Sequence, residues 1–382
     1  MDTSNSVGRV KTEFFTFAEN SDFLLSCGKS IGPITLAYET YGTLNSDKTN
    51  AVLILHALSG DAHAAGYYSE DDKSPGWWDG YIGPGKPFDT DKYFFICSNV
   101  LGGCSGSTGP ASVNPDTGKP WGMDFPIVTI EDMVNAQYHL VKHLGIDRLL
   151  SVAGGSMGGM QALQWSITHP EMINSCIAIA CAASLSAQGI AFNEVGRQAI
   201  FNDPNWNRGD YHDSQVPGAG LALARMIGHI TYMSEKQMHD KFGRNFQHDN
   251  MSKNDLYAEF SVESYLHHQG VKFIDRFDAN SYIYITRAVD YFDLKDNEKG
   301  KLTYAFEKAT ANFLIMSFTT DWLYPTADAR EIVKALRVTG KNVNFNDIDT
   351  EFGHDAFLLP NKTLEKNISS FLKNEFKKSI TK

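Results

Sequence analysis

The chain has 382 residues, enough for one large core or two domains, and its 42% hydrophobic and 21% charged residues are ordinary for a globular protein. A formal net charge of −11 with no Lys/Arg block excludes the basic face a nucleic-acid binder needs to displace counterions from phosphate. No apolar run approaches bilayer-crossing length, and MDTSNSVGRVKTEFF lacks a signal-peptide profile, so a cytoplasmic protein without membrane contact is expected, with disorder confined to the polar ends, residues 1–6 and 376–382.

Taken in chain order, short apolar runs predict strands at 34–40, 51–56 and 93–98. Several are apolar at consecutive positions, as in strands buried on both faces. Thr129-Ile130-Glu131-Asp132 resembles a capping box and opens a helix carrying Met133, Val134, Leu140, Val141 and Leu144, with Gly145 as the stop. A strand at 149–153, a helix at 159–168 and a strand at 176–180 follow. The pattern breaks over 185–294, which is rich in His, Asn, Asp and aromatics and contains helix-like segments at 220–234 and 254–269. Strands resume at 312–318 and 343–348, and Leu364, Ile368, Phe371, Leu372 and Phe376 form one helical stripe near the end. Strands alternating with helices predict an α/β architecture with a mostly parallel sheet and helices on both faces. The core would comprise 1–184 and 295–382, with 185–294 as a helical insertion.

The five cysteines are odd in number and no pair has CxxC spacing, which supports neither a disulfide framework nor a zinc ribbon. Cys97, Cys176 and Cys181 sit in apolar runs and read as small buried hydrophobes in a reducing compartment.

Gly154-Gly155-Ser156-Met157-Gly158 matches G-x-S-x-G between a predicted strand and a predicted helix, where the motif has meaning as a nucleophile elbow. Small residues permit a strained bend that lifts the Ser156 hydroxyl above the sheet and leaves the Met157 N–H free to face an oxyanion. A serine hydroxyl is a weak nucleophile and needs a base and a group to orient that base. In this fold the chain order is Ser, then Asp or Glu, then His. His354, in Gly353-His354-Asp355, is the one histidine beyond the resumed strands, and Asp321 follows the strand at 312–318. Asp355 competes as orienter, but adjacent residues cannot easily aim a carboxylate at the neighbouring imidazole, so Asp321 is preferred. The Leu58 N–H, after the strand at 51–56, is the candidate second oxyanion donor. His56 and His63 lack a third ligand at plausible spacing, so no metal is expected, and the glycine-rich run 102–109 lacks a P-loop ending.

These motifs lie in a chain that resembles the homoserine O-acetyltransferases of methionine biosynthesis from about residue 14 to 372. The resemblance is carried by His56-Ala57-Leu58-Ser59-Gly60-Asp61-Ala62-His63, by 99–110, 154–165, 192–200, 220–234 and 320–325, and by 353–358. Thr320 and Tyr324 stand where the family often has Ser and Phe, and neither is expected to touch a reacting group. The resemblance implies an α/β-hydrolase fold in which 185–294 forms a helical lid. It implies Ser156 as nucleophile, Asp321 as orienter and His354 as base, with Arg225 and Asp355 holding homoserine and Tyr232 nearby. Leu323, where succinyl-CoA users tend to carry Arg, implies acetyl as the acyl group. A homodimer is implied as well, with acetyl-CoA as co-substrate and no permanently bound cofactor. A succinyl donor, serine as acceptor, a plain esterase and an inert binding module are the alternatives.

Overall fold

The computed structural model describes residues 5–20, 22–247 and 259–380. Eight strands make the main sheet: β1 (Glu13–Phe17), β2 (Ile34–Tyr41), β3 (Ala51–Leu55), β4 (Phe94–Ser98), β5 (Ser151–Gly155), β6 (Ser175–Ile179), β7 (Asn312–Phe318) and β8 (Val343–Ile348). Their order is β1-β2-β4-β3-β5-β6-β7-β8, and β2 alone runs against the rest. Every residue of β3, β5 and β6 is buried, which is why these segments are apolar without alternation. The sequence pattern misses β1, a half-exposed edge strand, and two short ribbons, Phe23–Leu24 with Ser30–Ile31 and Ile82–Gly83 with Phe88–Asp89. It also stops β5 two residues early, since glycines read as turn, whereas Gly154 and Gly155 still pair with β6.

Alternate residues of the central strands feed two cores. Leu53, Val152, Ala178 and Ile315 meet α1 (Ile130–His143), α2 (Met157–Thr168) and α9 (Thr326–Val338) on one face. Ile54, Ala153, Ile177 and Met316 meet Leu364, Ile368 and Leu372 of α10 (Lys362–Ile380) on the other. Because α10 continues to Ile380, the polar end expected to be disordered is helical up to that residue, its Phe376 side packed on the sheet core. The capping box of α1 is real: the Thr129 hydroxyl accepts from the Asp132 N–H, and Asp132 accepts from the Thr129 N–H at 2.8 Å.

Between β6 and β7 the chain holds α3 (Ala187–Phe201), α4 (Gly218–Tyr232), α5 (Glu235–Phe242), α6 (Ser261–Ile274), α7 (Ala279–Asp290) and the short α8 (Leu302–Ala305). Its base is pinched by an antiparallel bridge between Ser184 and Asp293. The helices have their own apolar cluster, including Ile200, Leu221, Phe273 and Tyr282. The helix expected at 254–269 begins later, at Ser261, where the Glu263 carboxylate accepts from the Phe260 N–H at 2.6 Å; residues 254–258 lie outside the described residues. The helix expected to reach 234 ends at Tyr232, since Met233 turns extended and Ser234 caps α5 instead.

Replacing Thr129 by Ala should cost about 1 kcal/mol, because α1 loses its N-terminal acceptor. Urea unfolding measures it, and a midpoint unchanged within error would refute a stabilising role for the box.

Candidate active site

Ser156 sits at the head of β5 with φ 59° and ψ −126°, in the left-handed region that a residue with a Cβ seldom occupies. Its own N–H donates to the Ile179 carbonyl at 2.9 Å, and α2 begins at the next residue. The flanking glycines have a measurable reason. A Cβ on Gly158 would lie 2.0 Å from the Leu55 carbonyl oxygen, one on Gly154 2.6 Å from the same oxygen, and one on Gly155 2.5 Å from the Phe357 ring. The motif is thus the sequence that lets β3, β5 and α2 close on one another.

The ends of β3, β5, β6, β7 and β8 are level, with Leu55 opposite Gly154, Gly155 opposite Ile179, Ile179 opposite Met316 and Phe318 opposite Ile348. The loops that leave them therefore converge. His354 Nε2 lies 2.9 Å from Ser156 Oγ, and His354 Nδ1 lies 2.8 Å from Asp321 Oδ2. The other Asp321 oxygen accepts the Leu323 and Tyr324 N–H groups at 3.0 and 2.9 Å. Asp321 and His354 are 5% and 3% exposed, so this relay works largely out of water. Asp355 makes no such contact with the ring; the preferred carboxylate is the one that meets it. Burial pushes the His354 imidazole down, but the Asp321 charge and hydrogen bond, with help from Asp355, outweigh it and raise it above the ordinary 6.5. Burial also raises Asp355, against the pull of His354 and Arg225.

Hydrogen bonds tie the two loops together. The Thr320 hydroxyl donates to the Thr350 carbonyl at 2.7 Å and accepts the Gly353 N–H at 3.1 Å, joining the residue before Asp321 to the residue before His354. The corner between α4 and α5 grips both: Trp322 Nε1 donates to the Met233 carbonyl at 3.0 Å, and the Ser234 hydroxyl donates to the Glu351 carbonyl. Gly353, at φ 66°, has no room for a Cβ, which would lie 2.6 Å from the Ser234 nitrogen. Tyr324 corrects the expectation that it stands clear of the chemistry, because its ring centre lies 5.1 Å from that of His354. Burial holds its phenol well above the usual range, and it packs there as a neutral wall.

A cavity over Ser156 is lined by Leu58, Met157, Leu323, Tyr324 and Tyr232, and none of its lining residues carries a charge. The Leu58 and Met157 N–H groups donate to no protein acceptor among the described residues. Arg225, from α4, donates to Ser59 Oγ at 3.1 Å and stands 5.8 Å from the Tyr232 ring, which is itself 6.0 Å from His354. His56 and His63 are occupied within the protein: His56 Nε2 accepts the Val100 N–H at 3.1 Å, and His63 Nδ1 meets the buried Glu39 carboxylate at 3.1 Å. The glycine-rich run 102–109 is braced against β2, where Ser107 Oγ and Thr108 Oγ1 accept the Ala37 and Thr35 N–H groups. Sequence reasoning misses the Thr320 clamp, the fully hydrogen-bonded Glu39, and Arg276, which faces the Arg225 side of the site. Glu39 and Arg276 sit in no motif, Thr320 sits in the 320–325 segment without any sign of its bonding, and only folding gives each its neighbours.

This sheet order, with an elbow serine, a histidine and an aspartate at its carboxyl edge, defines an enzyme scaffold of the α/β-hydrolase class, and a profile for the alpha/beta hydrolase fold matches residues 50–358. A homoserine O-acetyltransferase of Methanohalobium evestigatum is 55% identical, over 98% of this chain and 76% of its own. The chain belongs to the homoserine O-acetyltransferase family. The crystal structure of a homoserine O-acetyltransferase from Bacillus anthracis superposes with a TM-score of 0.86 at 32% identity, covering 97% of both chains. A solved esterase is similar to almost the same degree, with a TM-score of 0.85 and 32% identity over 95% of this chain and all of its own. The fold is thus common to an acetyltransferase and an esterase and does not by itself choose between transfer and hydrolysis.

Since the base must be neutral, the acid limb of kcat/KM should fall with a midpoint above 6.5, set by the raised His354. Asp321→Asn removes the main raising charge and leaves burial opposed only by Asp355, so the midpoint should shift down while kcat drops on the order of 10⁴-fold. A pH profile that Asp321→Asn leaves in place would contradict the geometry. Thr320→Ser should keep near-normal kcat and Thr320→Val should lower it about tenfold or more, since only the hydroxyl can bridge the loops. Equal rates in the two variants would remove the clamp from the argument.

Proposed function

We propose that the protein moves an acetyl group from acetyl-CoA to the hydroxyl of L-homoserine through an acetyl-Ser156 intermediate, giving O-acetyl-L-homoserine and CoA. The observation that carries the reading is the continuous Ser156–His354–Asp321 hydrogen-bond chain facing an uncharged cavity, in a chain of this family. His354 takes the Ser156 proton as Oγ bonds to the thioester carbon, and the Leu58 and Met157 N–H groups support the oxyanion. The carbon–sulfur bond breaks, and CoA leaves as the thiol with the proton from His354. Homoserine then gives its hydroxyl proton to His354, its oxygen attacks the acetyl carbon, and Ser156 departs with that proton. Arg225 grips the acceptor carboxylate, Asp355 takes its ammonium, and Tyr232 forms the wall between Arg225 and His354. The helices of 185–294 serve as a lid that keeps water from the intermediate. The scheme uses no resident cofactor, and acetyl-CoA is consumed as co-substrate.

Leu323 in the cavity supports acetyl over succinyl, because a second carboxylate would meet no cation there. Exposed apolar Leu223, Ile230 and Val271 on α4 and α6 support assembly as a homodimer. Among the described residues no helix is long and apolar enough to cross a membrane, and five unpaired cysteines support a cytoplasmic site of action.

Incubation with acetyl-CoA alone should leave one acetyl group on the peptide containing Ser156, read by mass spectrometry. Normal turnover without that adduct would replace the two-step scheme by direct transfer. With homoserine, serine or water as the sole acceptor, CoA release should be fastest with homoserine. Fast release into water would favour the esterase reading, and faster turnover of succinyl-CoA than acetyl-CoA would overturn the acyl assignment.

A further inference from the structure

The chain is acidic overall, yet one cavity gathers positive charge. Segment 57–61 separates two cavities. Leu58 faces the one over Ser156, while Ser59, Asp61, His63, Arg225 and Arg276 line the other. Arg225 comes from the middle of α4 and Arg276 from the turn between α6 and α7. Their guanidinium carbons lie 4.7 and 5.5 Å from the centre of the Phe273 ring, so two like charges share one aromatic side chain.

Neither guanidinium has a direct ion pair among the described residues, although Asp61 acts on Arg276 and Asp355 on Arg225 through space. Arg225 donates to the uncharged Ser59 hydroxyl. Among the described residues the Arg276 guanidinium makes no hydrogen bond, and neither arginine has a carboxylate oxygen within 4.0 Å. Asp61 lines the same cavity, but one of its oxygens is taken by the His63 N–H at 2.9 Å. The field reaches further: His229, one turn beyond Arg225 on α4, is pushed down to about 3 by burial and by Arg225, Arg276 and Lys241. Arg276 itself is lowered by burial and by Arg225, which outweigh the opposite pull of Asp61. Two cations that repel each other in one cleft lower their energy when a bidentate oxyanion sits between them.

We propose that Arg276 is the second guanidinium of an anion site shared with Arg225, and that this site takes the carboxylate of the amino-acid acceptor. The inference deepens the acceptor reading above and rests on it. Tyr232 stands between Arg225 and His354, 5.8 Å from the former and 6.0 Å from the latter. A four-carbon amino acid can reach round that one ring, its carboxylate at the guanidiniums and its hydroxyl at the imidazole. The phosphates of CoA are the other source of the same chemistry, and the experiment separates them.

The full-length enzyme and its R276Q and R276K variants are assayed with acetyl-CoA and L-homoserine varied independently, and with homoserine amide, which lacks the carboxylate. R276Q is expected to raise the KM for homoserine about tenfold, with kcat and the KM for acetyl-CoA within about twofold and partial recovery in R276K. The amide should be much poorer than homoserine for the wild type and nearly as good for R276Q. Wild-type labelling of Ser156 by acetyl-CoA alone reports that R276Q is folded and its first half-reaction intact. A rise in the KM for acetyl-CoA instead would assign the site to CoA phosphate and overturn the carboxylate assignment. Both KM values unmoved in a variant that still labels would overturn the site altogether. R225Q keeps the two readings apart: if it raises the homoserine KM while R276Q does not, the acceptor reading stands and the Arg276 assignment fails, whereas a homoserine KM unchanged in R225Q overturns the shared site.

Discussion

Two strands and a helix approach so closely at the head of β5 that no side chain fits between them, and the rest of the site is arranged around that contact. The Leu55 carbonyl occupies the space where Cβ atoms of Gly154 and Gly158 would lie. This closeness turns the chain sharply enough to hold Ser156 at φ 59°, a conformation that costs of order 1–3 kcal/mol. The Ser156 N–H bond to Ile179 and the packing of Met157, Met160 and Leu163 into the core offset that strain. The backbone thereby fixes the Ser156 Cβ, and the 2.9 Å contact with His354 Nε2 holds the hydroxyl.

A nucleophile so placed needs its partners delivered to the same point, and level strand ends do this without long loops. Asp321 comes three residues after β7 and His354 six after β8, and Thr320 spans the gap between their loops. The insertion is part of the same arrangement. Its α4–α5 corner bonds to both loops through Met233 and Ser234, while α4 itself carries Arg225 and Tyr232. A shift of α4 would therefore move Arg225 and Tyr232 and press on the Ser156–His354–Asp321 relay together.

The similarity to an acetyltransferase and to an esterase at equal identity has a physical counterpart here. Serine, histidine and aspartate suffice to form and to break an acyl-serine ester with any hydroxyl, water included. Beside the serine lies an uncharged cavity, and across segment 57–61 lies a second one that carries Arg225 and Arg276. Segment 57–61 lies between the two cavities and presents Leu58 to the one over Ser156.

Much of this was legible in the residues because much of it is local. Buried strands must be apolar, so β2 to β8 could be found to within about two residues; a capping box is read over four positions; and the elbow is five consecutive residues whose small size is itself the signal. Chain order then pointed to His354 and Asp321. The edge strand β1 escaped because a half-exposed strand carries no strong pattern. Arg276, Thr320 and Tyr324 escaped because their meaning lies in neighbours far along the chain: Arg225 across the helices, Gly353 across two strands, His354 across a loop. The sequence by itself determined which groups could do chemistry, since that is written in residue type and short spacing. The tertiary structure alone decided which of them meet, at what distance and in what field, because hydrogen bonding and charge act through space and the sequence lists only what is adjacent along the chain.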